Sequence, residues 1–111
     1  MSMKYITQIR GIPGTTVRVA VSDVAQYIAA AVFTLNNSPA ISVLITCEEE
    51  NVRYAYGVDP TQGVNQVGHL FYVGAAVELT GGRSIREFRF INDVAMTDGF
   101  LQITPFFEIG V

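Results

Sequence analysis

The sequence has no tryptophan, one cysteine, one histidine and a single lysine in 111 residues. The single cysteine and the single histidine each close a class of function. Cys47 has no second cysteine to pair with, so no intramolecular disulfide forms. It lies in an apolar alternating segment, where a thiol reads as a packing group. His69 alone does not make a metal centre, which needs several His, Cys or carboxylate ligands converging. A Ser–His–Asp or Cys–His arrangement would have to use the same His69, and no nucleophile motif frames a serine or the cysteine. The chain therefore reads as a non-enzyme with no catalytic residues, no cofactor and no metal.

Charge is also sparse. Only 15% of residues are charged, against about a quarter on average, and the formal net charge is -3. Arg83, Arg86 and Arg89 are the only local basic cluster. Nucleic-acid binders carry basic patches that release phosphate counterions, so nucleic acid is not an expected partner. No run approaches the about 18 apolar residues of a membrane helix. Residues 1–10 also lack the apolar stretch of a secretory signal, so no membrane partner is expected.

What is present is apolar residue in quantity, 50% of the chain. This length fits one domain, residues 1–111, able to bury roughly two-thirds of its unfolded surface around one core. Low charge with high apolar content predicts that a partner covers part of the surface.

The apolar residues mostly alternate. Residues 4–10 are short and β-prone, and Gly11-Ile12-Pro13-Gly14 breaks the chain. Val17, Val19 and Val21 share one face of a strand over 15–22. Ser22 or Asp23 is positioned to cap a helix. Val24, Tyr27, Ile28, Ala31, Val32 and Leu35 recur at helical spacing, predicting one short helix near 24–34 that Asn36-Asn37-Ser38-Pro39 ends. Residues 40–48 and 52–56 read as a hairpin around a tight turn at Glu49-Glu50-Asn51. A long loop over 57–68 follows. Two strands over 69–74 and 76–80, or one strand bent around Gly74, are predicted, then a Gly81-Gly82 turn, a segment at 84–91, an irregular stretch 92–99 and a last strand over 100–109. Pro105 has no N–H for a ladder bond, which predicts an edge strand or a bulge there. Seven or eight short strands without regular strand–helix alternation predict an all-β fold, a jelly-roll-like antiparallel β-sandwich.

Three features remain as candidate sites. Glu48, Glu49 and Glu50 are too close in sequence to act as an acid–base pair on one strand face, and read as a solvated hairpin tip available to a basic partner. Asp93 and Asp98 lack the alternating oxygen ligands of a calcium loop. Phe106 and Phe107 are adjacent in a strand and face opposite sides, so one of them points away from the core as an interface anchor. The glycine pairs lack the lysine and helix of a phosphate cradle.

Several of these segments carry a resemblance: Ile45-Thr46-Cys47-Glu48, Val52-Arg53-Tyr54, Asp59-Pro60-Thr61, Val67-Gly68-His69-Leu70, Glu78-Leu79-Thr80, and Ile85 with Phe88-Arg89-Phe90-Ile91. Over residues 40–91 the chain resembles small accessory virion proteins of tailed bacteriophages, in particular the capsid decoration, or staple, proteins of epsilon-type short-tailed phages. The resemblance implies a jelly-roll-like structural protein made in the host cytoplasm and carried on the outer capsid surface of the virion. Its implied partners are the major capsid protein and further copies of itself, as a dimer or trimer. The chain ends would serve as contact arms: residues 1–10, with Tyr5, Ile6, Ile9 and Arg10, and residues 105–111, with Phe106 and Phe107. A tail or head–tail component and a carbohydrate-binding β-sandwich are the alternative roles.

Overall fold

A computed structural model describes residues 11–108. In chain order the strands are β1 (Ile12–Pro13), β2 (Val17–Ala20), β3 (Gln26–Tyr27), β4 (Thr34–Leu35), β5 (Ser38–Pro39), β6 (Ser42–Glu48), β7 (Val52–Tyr56), β8 (His69–Phe71), β9 (Ala76–Thr80), β10 (Phe88–Asn92) and β11 (Phe100–Phe107). One α-helix, α1 (Gly82–Glu87), and one 3₁₀ turn (Ala30–Phe33) complete the described elements.

The strand order identifies the architecture. In one sheet β11 pairs with β2, and β6 with β11 and β9; in the other the order is β3-β10-β7-β8. Of the eight strands outside β1 and the β4–β5 hairpin, the first pairs with the last (β2–β11), and β3 pairs with β10, β6 with β9 and β7 with β8. All of these pairings are antiparallel. An antiparallel ribbon folded in half and wrapped across two sheets is a jelly roll. The fold is mostly β, as the alternation implies.

Period-two burial places the core between the sheets. On β11, Leu101, Ile103, Pro105 and Phe107 are buried while Phe100, Gln102, Thr104 and Phe106 face outward. Val43, Ile45 and Cys47 of β6 and Leu79 of β9 join the same inner layer. The facing sheet contributes Val52, Phe71, Phe88 and Phe90. Burial pushes the Cys47 thiol up to about 11, and its Sγ donates to the carbonyls of Glu50 and Phe71. A thiol so placed is a packing group with almost no thiolate at neutral pH.

Three local expectations are corrected. The helix near 24–34 is a single 3₁₀ turn at Ala30–Phe33. Gln26 and Tyr27 instead pair with Phe90 and Arg89 as an edge strand. Ser22 closes a local turn, its Oγ accepting from Val24 N at 3.1 Å, rather than capping a helix. Of the predicted apolar stripe only Ile28 is fully buried, and Val24, Tyr27 and Leu35 are exposed. Asn36 and Asn37, both at positive φ (49° and 65°), form the two-residue turn between β4 and β5, the conformation that a tight hairpin demands and asparagine tolerates.

The second correction is α1, which replaces the predicted Gly81-Gly82 turn and the start of the 84–91 segment. The chain must cross here from β9 in one sheet to β10 in the other. A helical turn does so while directing Ile85, 1% exposed, into the end of the core. Third, β11 is an interior strand, flanked by β6 on one side and by β1 and β2 on the other. Pro105 fits because β1 pairs only with Phe106 and Phe107, and β2 only with Phe100–Ile103. The Pro105 carbonyl faces that gap, accepting from Gly14 N at 2.7 Å. Its missing N–H therefore falls where no ladder bond is required.

Candidate functional site

A jelly roll gathers alternate connections at each end of the sandwich. At one end lie the β2–β3 loop (residues 21–25), the β6–β7 turn (49–51), the β8–β9 turn (72–75) and the β10–β11 loop (93–99). Backbone bonds tie them together: Val21 N to Gly99 O at 2.9 Å, Asn92 N to Ser22 O at 3.0 Å, and Asp93 N to Asn51 O at 3.2 Å. The Asn51 side chain accepts from Val73 N at 2.9 Å, bringing in the fourth loop.

Asn92 is the peg of this assembly. It is the last residue of β10, 1% exposed, and its amide nitrogen donates to Val21 O at 3.1 Å, Thr97 O at 2.7 Å and Asp23 Oδ1 at 3.2 Å. Its Oδ1 accepts from Gly99 N at 3.1 Å. Gly99 sits so close that a Cβ there would lie 3.0 Å from that oxygen. Asp23 continues the network: its Oδ2 accepts from Met96 N at 2.9 Å, and its Oδ1 accepts from the Gln62 amide at 3.1 Å.

Gln62 belongs to the long 57–68 loop, which packs along the outer face of the β3-β10-β7-β8 sheet. Pro60 is buried there, and the Gln62 amide also donates to Asn92 O at 2.8 Å. Arg53, only 14% exposed, pairs with Asp93 at 2.9 Å and donates to Gly68 O at 2.9 Å. Gly68 has φ +120°, and a Cβ would lie 2.8 Å from Tyr54 O, so only glycine fits this close return of the loop.

Held on this polar frame is an apolar crown. Met96 is 92% exposed, Val64 89%, Val24 73% and Val94 59%, and Tyr72 and Val73 project from the β8–β9 turn at the same end. Between the 57–68 and 93–99 loops lies a depression of about 540 Å³ lined by Gln62, Gly63, Gln66, Asp93, Val94 and Ala95. Exposed single valines are ordinary; here several large apolar side chains stand exposed on loops that the Asn92 amide joins. Carboxylates surround it. Asp23, Glu48, Glu49, Glu50, Asp93 and Asp98 lie in or beside these loops, with Arg18 and Arg53 the arginines that pair with them.

The sequence-predicted residues divide. Glu48 ends β6 and pairs with Arg18 at 3.4 Å, while Glu49 and Glu50 are exposed at the tight turn, so this run lies at the crown end. Phe106 points outward from β11, whereas Phe107 is 5% exposed and packs in the core. Tyr5, Ile6, Ile9 and Arg10 lie outside the described residues, as does the rest of the 1–10 arm and residues 109–111. Val24, Val64, Val94 and Met96 are not among the sequence-predicted contact residues. Their one sequence signal was large apolar side chains in segments otherwise built of turn formers. Among the described residues no group of three or more His, Cys, Asp or Glu side chains is placed to hold a metal, and no helix is long and apolar enough to cross a membrane.

The Asp23 carboxyl is held below its ordinary value of 3.8, first by the Met96 N–H and then by the Gln62 and Asn92 amides. A depressed folded-state value means that the unfolded chain binds protons more readily, so stability rises with pH across this range. The contribution is complete above about 3.8 and is lost as pH falls through the lower folded value. The melting temperature of Asp23→Asn should therefore fall less steeply than that of the parent as pH drops from about 3.8 through that lower value. Equal acid limbs would show that Asp23 does not couple the loops to pH.

No protein-family model, curated protein or solved structure matches this chain.

Proposed function

We propose that this chain is a non-catalytic structural protein of a phage virion that binds the outside of the capsid and braces contacts between major capsid subunits. The observation that carries the reading is the apolar crown. Its side chains stand exposed on loops locked by Asn92, a construction suited to holding a partner rather than turning over a substrate. The resemblance of residues 40–91 to capsid decoration proteins supplies the kind of partner.

The mechanism is linkage. A subunit that binds the assembled shell and not its dissociated parts stabilises the shell by its binding free energy. A standard specific interface buries about 800 Å² per partner. Repetition over a symmetric lattice multiplies the effect.

The test is electron microscopy and quantitative protein composition of purified particles of the phage that encodes the chain. Density for the jelly roll on the outer shell, crown toward the capsid subunits, is the expected result. Density at the tail or the head–tail junction would replace this reading by another virion role. Absence from the particles, with saturable binding on a glycan array, would replace it by a carbohydrate-binding module.

A further inference from the structure

We propose, resting on the capsid reading above, that the outer edge of β9 takes up an extended segment of a capsid subunit as a further strand, with a lysine or arginine of that segment beside Glu78. β9 ends its sheet and pairs only with β6 among the described residues. The ladder fixes which of its backbone groups are used. Cys47 N donates to Ala75 O at 3.2 Å, and Gly81 N donates to Ile41 O at 2.9 Å. In an antiparallel pair such bonded positions alternate with unbonded ones. Val77 and Leu79 therefore bond to β6, and the N–H and C=O groups of Ala76, Glu78 and Thr80 face away from it. All three residues are exposed, and among the described residues none has a backbone partner on that side.

Native sheets blunt such edges with short strands, charge, proline or cover. The other edges here are blunted. β3 has two residues and β8 three, and β2 carries Arg18, which lies over the Phe100 ring and pairs with Glu48. β9 has five residues, an unbroken register, and no proline, lysine or arginine. Its outward donors and acceptors repeat every second residue, about 6.7 Å apart, a spacing that an extended polypeptide matches. Main-chain bonds of this kind give affinity, and side chains beside them give specificity. Glu78 supplies the specificity. It is exposed and in no ion pair among the described residues. A second copy is a poor occupant, because the antiparallel register that overlaps all five residues sets Glu78 opposite its own mate. Like charges directly opposed destabilise a strand pair, and opposite charges stabilise it. The edge also starts at the β8–β9 turn, where Tyr72 and Val73 stand exposed, so a segment lying along β9 continues from the crown.

Hydrogen exchange on the free, full-length chain comes first. The amides of Val77 and Leu79 should be protected, and those of Ala76, Glu78 and Thr80 should exchange fast. Protection of the second set would mean that the edge is already filled, and would overturn the proposal. Electron microscopy of purified particles of the phage that encodes the chain should then show a strand about 4.8 Å from β9, on the side away from β6. Two full-length variants compete with the parent for shells assembled without it. Glu78→Lys reverses the charge, and Thr80→Pro removes an outward N–H while leaving the ladder to β6 intact. Each should bind at least about tenfold more weakly than the parent, a loss of about 1.4 kcal/mol. Unchanged melting temperatures confirm that both fold, and Ala76→Pro replaces Thr80→Pro if that variant does not. A chain seated on the shell with β9 bare, or variants that compete as well as the parent, would overturn this proposal and leave the capsid reading standing. A chain absent from the particles would overturn both.

Discussion

Replacing Phe88 by alanine should lower the unfolding free energy by about 3–5 kcal/mol, the usual cost of emptying a buried aromatic site. Phe88 is 0% exposed and sits at the junction of an aromatic cluster. Its ring stacks on Tyr54 at 5.4 Å, meets Tyr56 edge-on at 5.8 Å and lies 5.9 Å from Phe90. Tyr54 in turn packs on Phe71 and His69. The cavity cannot collapse easily, because these neighbours are held in register on three adjacent strands, β10, β7 and β8. A domain of this size has about 5–15 kcal/mol in total, so the loss is a large share of it. Phe106→Ala is the control. The same side chain is removed from the outer face of β11, and should cost less than about half as much. Urea unfolding of both variants measures the difference as a shift in midpoint at constant slope. Equal shifts would mean that the inner and outer layers are wrongly assigned.

That pair of phenylalanines shows how far the sequence could be read. Alternation groups Leu101, Ile103, Phe107 and Ile109 on one face without saying which face is inner; the first three are core, and Ile109 lies outside the described residues. For Phe106 and Phe107 the strand period required opposite faces, and only the register of β11 against β6 decided which faced inward. The helix near 24–34 failed for a different reason. Val24, Ile28, Val32 and Leu35 have helical spacing, but backbone pairing of Gln26 and Tyr27 to β10 competes with the helix and prevails. Tertiary pairing overrides local propensity when the segment is short. The Asn36-Asn37 turn was legible in principle, since paired asparagines favour positive φ. The helix α1 itself was not, because the need for a plug such as Ile85 arises only once two sheets must be joined at their ends.

The candidate site was less legible than the fold. A lone asparagine in an irregular stretch carries no pattern, and its importance comes from partners at residues 21, 23, 97 and 99 that the chain brings together only on folding. Val64 and Val94 carry only the weak signal of apolar side chains among turn formers, and Val24 fits a helical stripe, because period-two and helical patterns report burial and not its absence on loops. The acidic turn at Glu48–Glu50 was visible, but its meaning changes once it stands beside an apolar crown rather than alone in water.

Asn92→Ala is the second large effect, and it separates the frame of the crown from the core. The substitution strips hydrogen bonds from Val21 O, Thr97 O and Gly99 N at a position 1% exposed to solvent. Each buried group left unpaired costs about 1–3 kcal/mol, less where water can enter, so the expected loss is about 3–4 kcal/mol. Asn92→Asp should be at least as harmful at neutral pH. It places a carboxylate where the amide donates to two carbonyls and the Asp23 carboxylate. The introduced acid would have a raised folded-state value, so its penalty is fully present above that value and relieved as pH falls through it. Asn92→Asp should therefore gain on Asn92→Ala in acid, opposite to the trend expected for Asp23. Hydrogen exchange locates the damage. The amides of Val21, Met96 and Gly99 should lose protection before those of Val43 and Ile45, because the loops open while the inner layer of β6 stays packed. If all of these amides lose protection together, the crown is not a separately stabilised unit. If Asn92→Ala costs less than about 1 kcal/mol, the buried amide does not hold the loops together.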